Sequence, residues 1–156
     1  MNVLLLLTAK EDVSFLTEDN TLRQGLEKMK AHGYSAIPVL SAAGHYLGTI
    51  SEGDFLWAIY NNDDYSKKEL EHIYIKDILR DDFNPPVKIN TCIDDLMDRA
   101  TRQNFIPVVD DRNFFIGIIT RQDILKAVSK YVREAERSKE EKRRTDLLNL
   151  QLNYGL

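Results

Sequence analysis

The stretch GTISEGDFL, Gly48–Leu56, decides the fold, because a close copy, GIITRQDIL, occupies Gly117–Leu125. Further matches occur at the same offset of 69 residues along the chain. They pair Ser51 with Thr120, Asp54 with Asp123, and the tripeptide IPV at 37–39 with IPV at 106–108. A period this long, present twice, does not fit the usual solenoid units. The sequence therefore predicts a duplicated small domain, whose halves we call the first and the second copy.

The composition predicts that the two copies pack together. The chain has 156 residues, of which 43% are hydrophobic, so each copy alone buries too little apolar surface to be comfortably stable. The formal net charge of -4 argues against a broad surface that follows the phosphates of DNA or RNA. Nucleic acid is therefore not an expected partner.

Cysteine, histidine and hydropathy argue against several other classes. A single cysteine, Cys92, rules out an intramolecular disulfide, and the three histidines, at 32, 45 and 72, lack the spacing of a metal site. The apolar run Leu4–Leu7 is too short to span a membrane, so we interpret it as an ordered segment that packs on the fold. The sequence thus predicts a cytoplasmic protein with no metal, no cofactor and no membrane contact.

Each copy carries the same order of secondary-structure signals. A threonine with a polar residue three positions later, at Thr21–Gln24 and at Thr91–Asp94, has the spacing of a capping box and predicts a helix start. Two strands and a second helix follow each start. The predicted strands are 36–40, 46–50, 106–109 and 114–119, the predicted second helices are 52–60 and 121–132, and short strands at 13–16 and 87–89 lead into the copies.

The remaining segments define the expected domain organisation. Asn61–Lys68 is polar and is interpreted as a connector. A charge run at 138–144, followed by several leucines, predicts a long terminal helix. We therefore expect a first unit at 1–67, a second unit at 68–132 and a C-terminal helical tail at 133–156.

Each copy has a predicted hairpin with IPV before it and the motif G-hydrophobic-hydrophobic-S/T-x-x-D after it. Together, these features resemble a tandem CBS domain pair, the Bateman module. The resemblance covers roughly residues 8 to 130. It implies an α+β fold in which two βαββα units pack as a pseudo-twofold tandem pair, here with a C-terminal helical extension. It also implies a stand-alone regulatory protein with two clefts that in many family members bind adenosine-containing ligands.

The chemistry of the repeated motif can be followed from the residues alone. A strand that ends in Ser51 or Thr120 presents the hydroxyl together with the first backbone N–H groups of the next helix, and this arrangement attracts phosphate. Asp54 or Asp123, three residues on, can accept hydrogen bonds from two ribose hydroxyls. The alternative is that S/T-x-x-D is only a capping box, which needs no ligand.

The residue after the hydroxyl distinguishes the two clefts. It is Glu52 in the first copy and Arg121 in the second, and phosphate prefers the guanidinium. Because the resemblance implies composite clefts, the primary cleft is expected to combine the second motif with residues of the first copy. Its ligand-binding residues are expected to be Ser14, Tyr34, Ser35, Ala36, Ile37, Pro38, Thr120, Arg121 and Asp123.

A second, weaker cleft is expected around the first motif. Its residues would be Ser51, Asp54, Lys88, Phe105, Ile106 and Pro107. Family members that resemble the AMP-activated kinase regulatory subunit carry basic residues just before the hydrophobic-Pro-Val strand. This chain departs from that pattern, because it has Ser35-Ala36 and Asn104-Phe105 at these positions. This departure argues against AMP, ADP or ATP bound as in that subunit, and it keeps a cyclic dinucleotide such as cyclic di-AMP, or S-adenosylmethionine, among the candidate ligands.

Three functions compete on these grounds. The favoured function is a regulatory module that senses an adenine nucleotide and acts through a partner protein. The alternative is a structural dimerisation module with vestigial clefts. An enzyme is not expected, because neither histidine nor cysteine lies beside a repeated carboxylate. A homodimer is expected, because the helices after the motifs carry more apolar side chains than a small module buries: Phe55, Ile59, Leu125 and Val128.

Overall fold

A computed structural model describes residues 3–63 and 66–155 of the chain. In these residues, seven strands form two sheets that are accompanied by five α-helices. The chain forms two compact units, residues 1–121 and 122–156. The strands are β1 (Thr8–Ala9), β2 (Leu16–Thr17), β3 (Ala36–Leu40), β4 (Tyr46–Ser51), β5 (Val87–Lys88), β6 (Phe105–Val109) and β7 (Phe115–Thr120). The helices are α1 (Leu22–His32), α2 (Glu52–Tyr60), α3 (Ile75–Ile78), α4 (Ile93–Ala100) and α5 (Arg121–Tyr154).

The two hairpins repeat each other residue by residue. In the first copy, Ala36 pairs with Ser51, and in the second copy Phe105 pairs with Thr120, which is the same register shifted by the offset of the repeat. Both registers shift at the same position, after Val39 and after Val108. A one-residue slip would exchange the two faces of each strand, so the two copies agree in which side chains face each way. The duplication predicted from the sequence is therefore present in the backbone.

A short parallel strand completes each hairpin. β2 pairs with β3, and β5 pairs with β6, so each copy has the third strand that the sequence predicted. In the first copy that strand is Leu16–Thr17 rather than the predicted 13–16. β1 was not predicted and pairs antiparallel with β7, which gives the second sheet a fourth strand. The N-terminal segment thus joins the sheet of the opposite copy.

The hairpin turns of the two copies contact each other around a local twofold axis. The Tyr46 N–H donates to the Asn113 carbonyl at 3.2 Å, and the Phe115 N–H donates to the Gly44 carbonyl at 3.0 Å. The rings of His45 and Phe114, which are equivalent positions of the repeat, stack at a centroid distance of 4.2 Å. These reciprocal contacts confirm the pseudo-twofold tandem pair and the α+β fold class.

Two clusters of apolar side chains lie in the core of the first unit. One cluster packs α1 and α2 against the first sheet and contains Leu22, Ile37, Ile50 and Phe55, all 2% exposed or less. The other cluster contains Val13, Leu40, Tyr46, Val109 and Phe115. Burial of this kind is worth about 1.5 to 3 kcal/mol per large side chain.

The expected dimer interface needs a correction in the first copy. Phe55 is buried in the core of its own unit, and Ile59 packs against the same cluster. Gly25 on α1 permits this approach, because a side chain there would lie 2.9 Å from the Phe55 ring. Phe55 is therefore not available to a second molecule, whereas Ile59 is partly buried and Leu125 is 61% exposed.

The two predicted capping boxes have different outcomes. At α1 the box is confirmed, since the Gln24 N–H donates to Thr21 Oγ1 at 3.2 Å and the Thr21 N–H donates to Gln24 Oε1 at 2.9 Å. At α4 the prediction was wrong: the N-cap is Cys92, whose side chain makes no capping hydrogen bond. Thr91 and Asp94 have the spacing of a capping box, but the helix begins at Ile93, one residue later than a Thr91 cap requires.

The last helix is longer than predicted. α5 runs without interruption from Arg121 to Tyr154, so the predicted helix 121–132 and the predicted tail at 133–156 are one element of 34 residues. The predicted connector Asn61–Lys68 includes residues 64 and 65, which lie outside the described part of the chain. After it come a short 3-10 helix, Glu69–Glu71, and α3.

Candidate functional site

A pocket of about 370 Å³ lies between the two copies within the first unit. It combines the N-terminal lead-in segment, the end of α1 with β3, and the two strands of the second hairpin. Its lining residues are Thr8, Asp12, Val13, Ser14, Gly33, Tyr34, Ser35, Ala36, Pro38, Asn104, Phe105, Ile118 and Thr120. This pocket corresponds in position to the predicted primary cleft, and we use that name for it below.

The turn after α1 builds one wall of the primary cleft. Gly33 ends the helix in the left-handed conformation, at φ +65, which glycine adopts without steric cost. The Tyr34 ring, 38% exposed, then stacks on His32 with 5.1 Å between centroids and 13° between planes. Ser14 Oγ lies 3.2 Å from His32 Nε2. This wall is therefore a stacked pair of aromatic rings, in which the histidine contacts the Ser14 hydroxyl.

A polar link between the copies closes the cleft at the start of β3 and β6. Asn104 Nδ2 donates to Ser35 Oγ at 3.0 Å, and these residues are equivalent positions of the repeat. The Ser35 carbonyl accepts from the Glu52 N–H at 3.0 Å, and the Asn104 carbonyl accepts from the Arg121 N–H at 2.9 Å. The first residue of each following helix is thereby fixed to the strand beside the cleft.

The surface of the primary cleft is largely apolar and nearly uncharged, with a few hydrogen-bonding groups. Hydroxyls of Thr8, Ser14, Ser35 and Thr120 line it, together with the Asn104 amide. Among its lining residues, Asp12 is the one charged side chain, and lysine and arginine are absent. A ligand held here would be recognised by neutral hydrogen-bonding groups and by apolar contact rather than by a cation.

The structure brings together most of the predicted primary site. Six of the nine predicted residues line the pocket: Ser14, Tyr34, Ser35, Ala36, Pro38 and Thr120. The side chain of Ile37 is fully buried in the core cluster. Arg121 Nε donates to the Gln103 carbonyl at 3.1 Å. Asp123 lies in the first turn of α5, in the second unit.

Sequence reasoning missed seven lining residues. Asn104 and Phe105 precede the second IPV strand, and their equivalents, Ser35 and Ala36, were predicted, so the repeat itself held the signal. Thr8 and Ile118 pair across β1 and β7, a contact that no local pattern indicates. Phe105, assigned to the second cleft from the sequence, lies in the primary cleft. The remaining missed residues are Asp12, Val13 and Gly33.

The first motif, in the predicted second cleft, is bound by its own chain. Asp54 Oδ2 accepts from the Ser51 N–H at 2.8 Å and from the Ser51 hydroxyl at 2.7 Å. Arg80 adds a two-point contact, with Nε 2.6 Å from Asp54 Oδ1 and a terminal nitrogen 3.0 Å from Oδ2. The Arg80 guanidinium lies 3.5 Å from the centre of the Phe83 ring. The carboxylate that was expected to bind ribose is thus occupied by an arginine.

Asn84 fills the space beside this motif. Its side chain is buried and donates to Thr49 Oγ1 at 3.3 Å and to the Phe105 carbonyl at 3.1 Å. Its own carbonyl accepts from the Tyr46 hydroxyl at 2.8 Å. Burial raises the pKa of Tyr46 well above the usual range for a phenol, because the phenolate loses its hydration. The residue equivalent to Thr49 in the second copy is Ile118, which lines the open cleft.

The other residues predicted for the second cleft are dispersed. Lys88 forms an ion pair with Asp111 at 3.1 Å on the surface. Ile106 and Pro107 are buried within β6. Ser51, Asp54 and their neighbours therefore form a capping arrangement closed by Arg80, which agrees with the capping-box interpretation for the first copy.

Two further classes of site were sought in the described residues. Within residues 3–63 and 66–155, no three histidine, cysteine or carboxylate side chains cluster as they would around a metal ion. In the same residues, no helix combines the length and the apolar character that a membrane crossing needs.

Comparison with known proteins gives the family. The CBS domain profile matches residues 7–61 and 75–130. Cyclic di-AMP receptor B from Bacillus subtilis is 27% identical over 123 residues, which are 79% of this chain and 83% of that protein. The solved CbpB protein of Listeria monocytogenes, in complex with cyclic di-AMP, is 28% identical with a TM-score of 0.75, and the match covers 85% of this chain and 98% of that one.

The chain belongs to the CBS domain family, because the two matched segments make up more than half of it and follow each other in tandem. The resemblance inferred from the repeated motif is confirmed. Homoserine O-acetyltransferase from Methanohalophilus mahii is also similar, at 30% identity over 120 residues, which are 77% of this chain. Since the match spans 23% of that enzyme, its activity is not carried over to this chain.

Proposed function

We propose that this protein is a regulatory module that binds an adenine nucleotide in the primary cleft and passes the signal to a partner protein. The observation that carries the proposal is the pocket itself. Residues predicted from both copies, among them Tyr34, Ser35 and Thr120, line one pocket of about 370 Å³. This volume lies at the lower end of the range for small-molecule sites and suits one nucleoside monophosphate unit.

The lining suggests how such a unit would bind. His32 covers one face of the Tyr34 ring, and in this proposal a purine would stack on the other face. Stacking of a base on an aromatic ring is worth about 1 to 3 kcal/mol. The hydroxyls of Ser14, Ser35 and Thr120 would bind sugar or phosphate oxygens. Asp123 stays a prediction from the motif as the ribose-binding carboxylate.

The charge of the pocket favours a cyclic dinucleotide over ATP. A phosphodiester carries one negative charge, which neutral hydroxyls and an amide can solvate, whereas a triphosphate concentrates several charges that need cations. The lining offers no cation and includes the carboxylate of Asp12. The relatives named as binding cyclic di-AMP point to the same class of ligand. In this proposal one adenosine phosphate half occupies the cleft.

A structural role is the second candidate, and one observation favours it. Arg80 and Asn84 bind polar groups of the first motif from within the chain, so these groups need no ligand as a hydrogen-bonding partner. A module with both functions would bind one nucleotide per chain and use the first motif to hold the copies together.

Isothermal titration calorimetry with cyclic di-AMP, AMP and ATP tests the proposal. Cyclic di-AMP is expected to bind with one site per chain, and Tyr34→Ala is expected to weaken binding at least about tenfold, through the loss of stacking. Gln103→Ala, at the equivalent position of the second copy, is the matched control and should change affinity by less than about threefold. If none of the three nucleotides binds at millimolar concentration, the structural role replaces the sensor.

A further inference from the structure

The last helix carries a self-complementary stripe on one face. At 100° per residue, every third or fourth residue of α5 from Leu125 to Tyr154 falls on the same side of the helix. The stripe begins with Leu125, Ser129, Val132 and Glu136, continues through Lys139 and Glu140, and ends with Arg143, Leu147, Leu150 and Tyr154. Its apolar members are at the two ends and its charged members are in the middle.

The apolar ends of the stripe are open to solvent. Leu125 is 61% exposed, Val132 47%, Leu147 63% and Tyr154 74%. Leu150 is similarly exposed. These side chains share one helix face at 125–132 and again at 147–154, whereas apolar residues scattered singly over a surface have no such order. Two exposed apolar patches on one face of a helix indicate a surface that pairs with another helix.

The charges in the middle identify that other helix. Glu136, Lys139, Glu140 and Arg143 are exposed, and none of them forms an ion pair with any other described residue. Their signs alternate along the helix. When a second copy runs in the opposite direction, each acidic residue therefore lies opposite a basic residue. Glu136 then faces Arg143, and Lys139 faces Glu140, each twice because of the twofold symmetry.

The same alignment matches the apolar ends. When Glu136 faces Arg143, Val132 faces Leu147 and Leu125 faces Tyr154. A parallel alignment would instead set each charged residue against its own copy. Sliding the antiparallel pair by three residues would set Glu136 against Glu140, or Lys139 against Arg143. Like charges held in direct contact are destabilising. Both direction and register are therefore specified by the sequence of this face.

We propose that two copies of the chain pair through an antiparallel contact between their α5 helices, centred between Lys139 and Glu140. The occupant of the stripe is thus a second copy of this chain. The interaction is independent of nucleotide binding, because all of its residues lie in the second unit and none lines the primary cleft.

Charge reversal tests the pairing in the full-length chain. By sedimentation equilibrium, the parent is expected to be a dimer of about 36 kDa, twice the chain mass of 18.0 kDa, at tens of micromolar. Glu136→Arg alone and Arg143→Glu alone should each weaken dimerisation at least about tenfold, because each creates two symmetric like-charge contacts. The double variant exchanges the two charges, and its dimer dissociation constant should return to within about threefold of the parent value. Circular dichroism checks that the helix persists.

Cysteine cross-linking tests the direction of the helices. In a Cys92→Ala background, Glu140→Cys should be joined to its own copy by a short bismaleimide, since it lies at the centre of the pair. Leu150→Cys should not be, because the two copies of residue 150 would lie about 31 Å apart along the axis. Cross-linking at both positions would show a parallel pair. That result, a monomeric parent, or a double variant that fails to recover would each overturn the proposal.

Discussion

The primary and second clefts are built on the same repeated motif and differ in what the chain lays against it. In the primary cleft, residues 8–14 border an open pocket beside Thr120. In the second cleft, the corresponding lead-in segment supplies the guanidinium of Arg80 and the amide of Asn84, which bind the motif directly. Duplication fixed the sheets and helices of both copies. The segments that lead into each copy decide whether a cleft receives a small molecule or its own chain.

The largest expected effect comes from placing a carboxylate in the open cleft. Ala36→Glu should weaken nucleotide binding at least about 100-fold, or about 2.7 kcal/mol, because the new charge would repel a phosphate in a pocket whose lining lacks cations. Calorimetry measures the loss. Ala36→Gln has nearly the same size without the charge, so the difference between the two variants isolates repulsion. If Ala36→Glu binds as tightly as the parent, the ligand does not use this pocket.

The second prediction concerns the buried network that closes the other cleft. Tyr46→Phe removes the hydroxyl that bonds to the Asn84 carbonyl and lies 2.8 Å from Thr49 Oγ1. We expect the free energy of unfolding to fall by about 1 to 3 kcal/mol, the usual cost of leaving buried polar groups unpaired. Urea denaturation measures it. Tyr131→Phe removes the same group from an exposed ring and should change stability by less than about 0.5 kcal/mol.

The third prediction measures how firmly Arg80 holds the first motif. A double-mutant cycle of Arg80→Met and Asp54→Asn should give a coupling energy of about 1 kcal/mol in thermal or urea unfolding. The value is modest because solvent screens Arg80, whose side chain is 47% exposed, although Asp54 is nearly buried. Nucleotide affinity should stay within about twofold in Arg80→Met. An absence of coupling would mean that the contact does not close the second cleft.

The smallest effect is expected at Arg121, where motif and structure differ most. From the sequence, this guanidinium was the expected phosphate ligand, yet its Nε donates to the Gln103 carbonyl. Arg121→Gln should therefore weaken nucleotide binding by less than about threefold. A loss near 30-fold, about 2 kcal/mol, would show that Arg121 reaches the phosphate in the complex and that the motif was the better guide.

The sequence predicted the frame of the fold well because that frame is local and repeated. Each hairpin consists of two apolar strands joined by a short turn, and the same pattern occurs twice at one offset, so each copy supports the prediction for the other. The α1 cap was predicted because a capping box involves four consecutive residues. The cap predicted at Thr91 failed, since the same spacing also fits a helix that starts from Cys92.

The candidate site was predictable only in the parts that lie next to the motif. Tyr34, Ser35 and Thr120 flank repeated strands and could be located from them. Arg80 lies 26 residues from Asp54 in a segment without any repeated pattern, so no sequence spacing predicts their contact. Asp12 and Thr8 reach the pocket through the pairing of β1 with β7, which depends on the assembled sheet. Long-range contacts of this kind arise from tertiary packing and leave no periodic signal.

The pairing of β1 with β7 bears on how the chain folds as it leaves the ribosome. Thr8 and Ala9 are synthesised about 110 residues before their partners Ile118 and Gly117. The local hairpins can form as soon as they emerge, whereas this strand must wait, with its backbone groups unpaired, until β7 exists. Gly117 permits this strand pairing, because a side chain there would collide with the Thr8 carbonyl. Residues 8 and 9 are thus fixed only after a strand that is synthesised much later, and they then complete the second sheet.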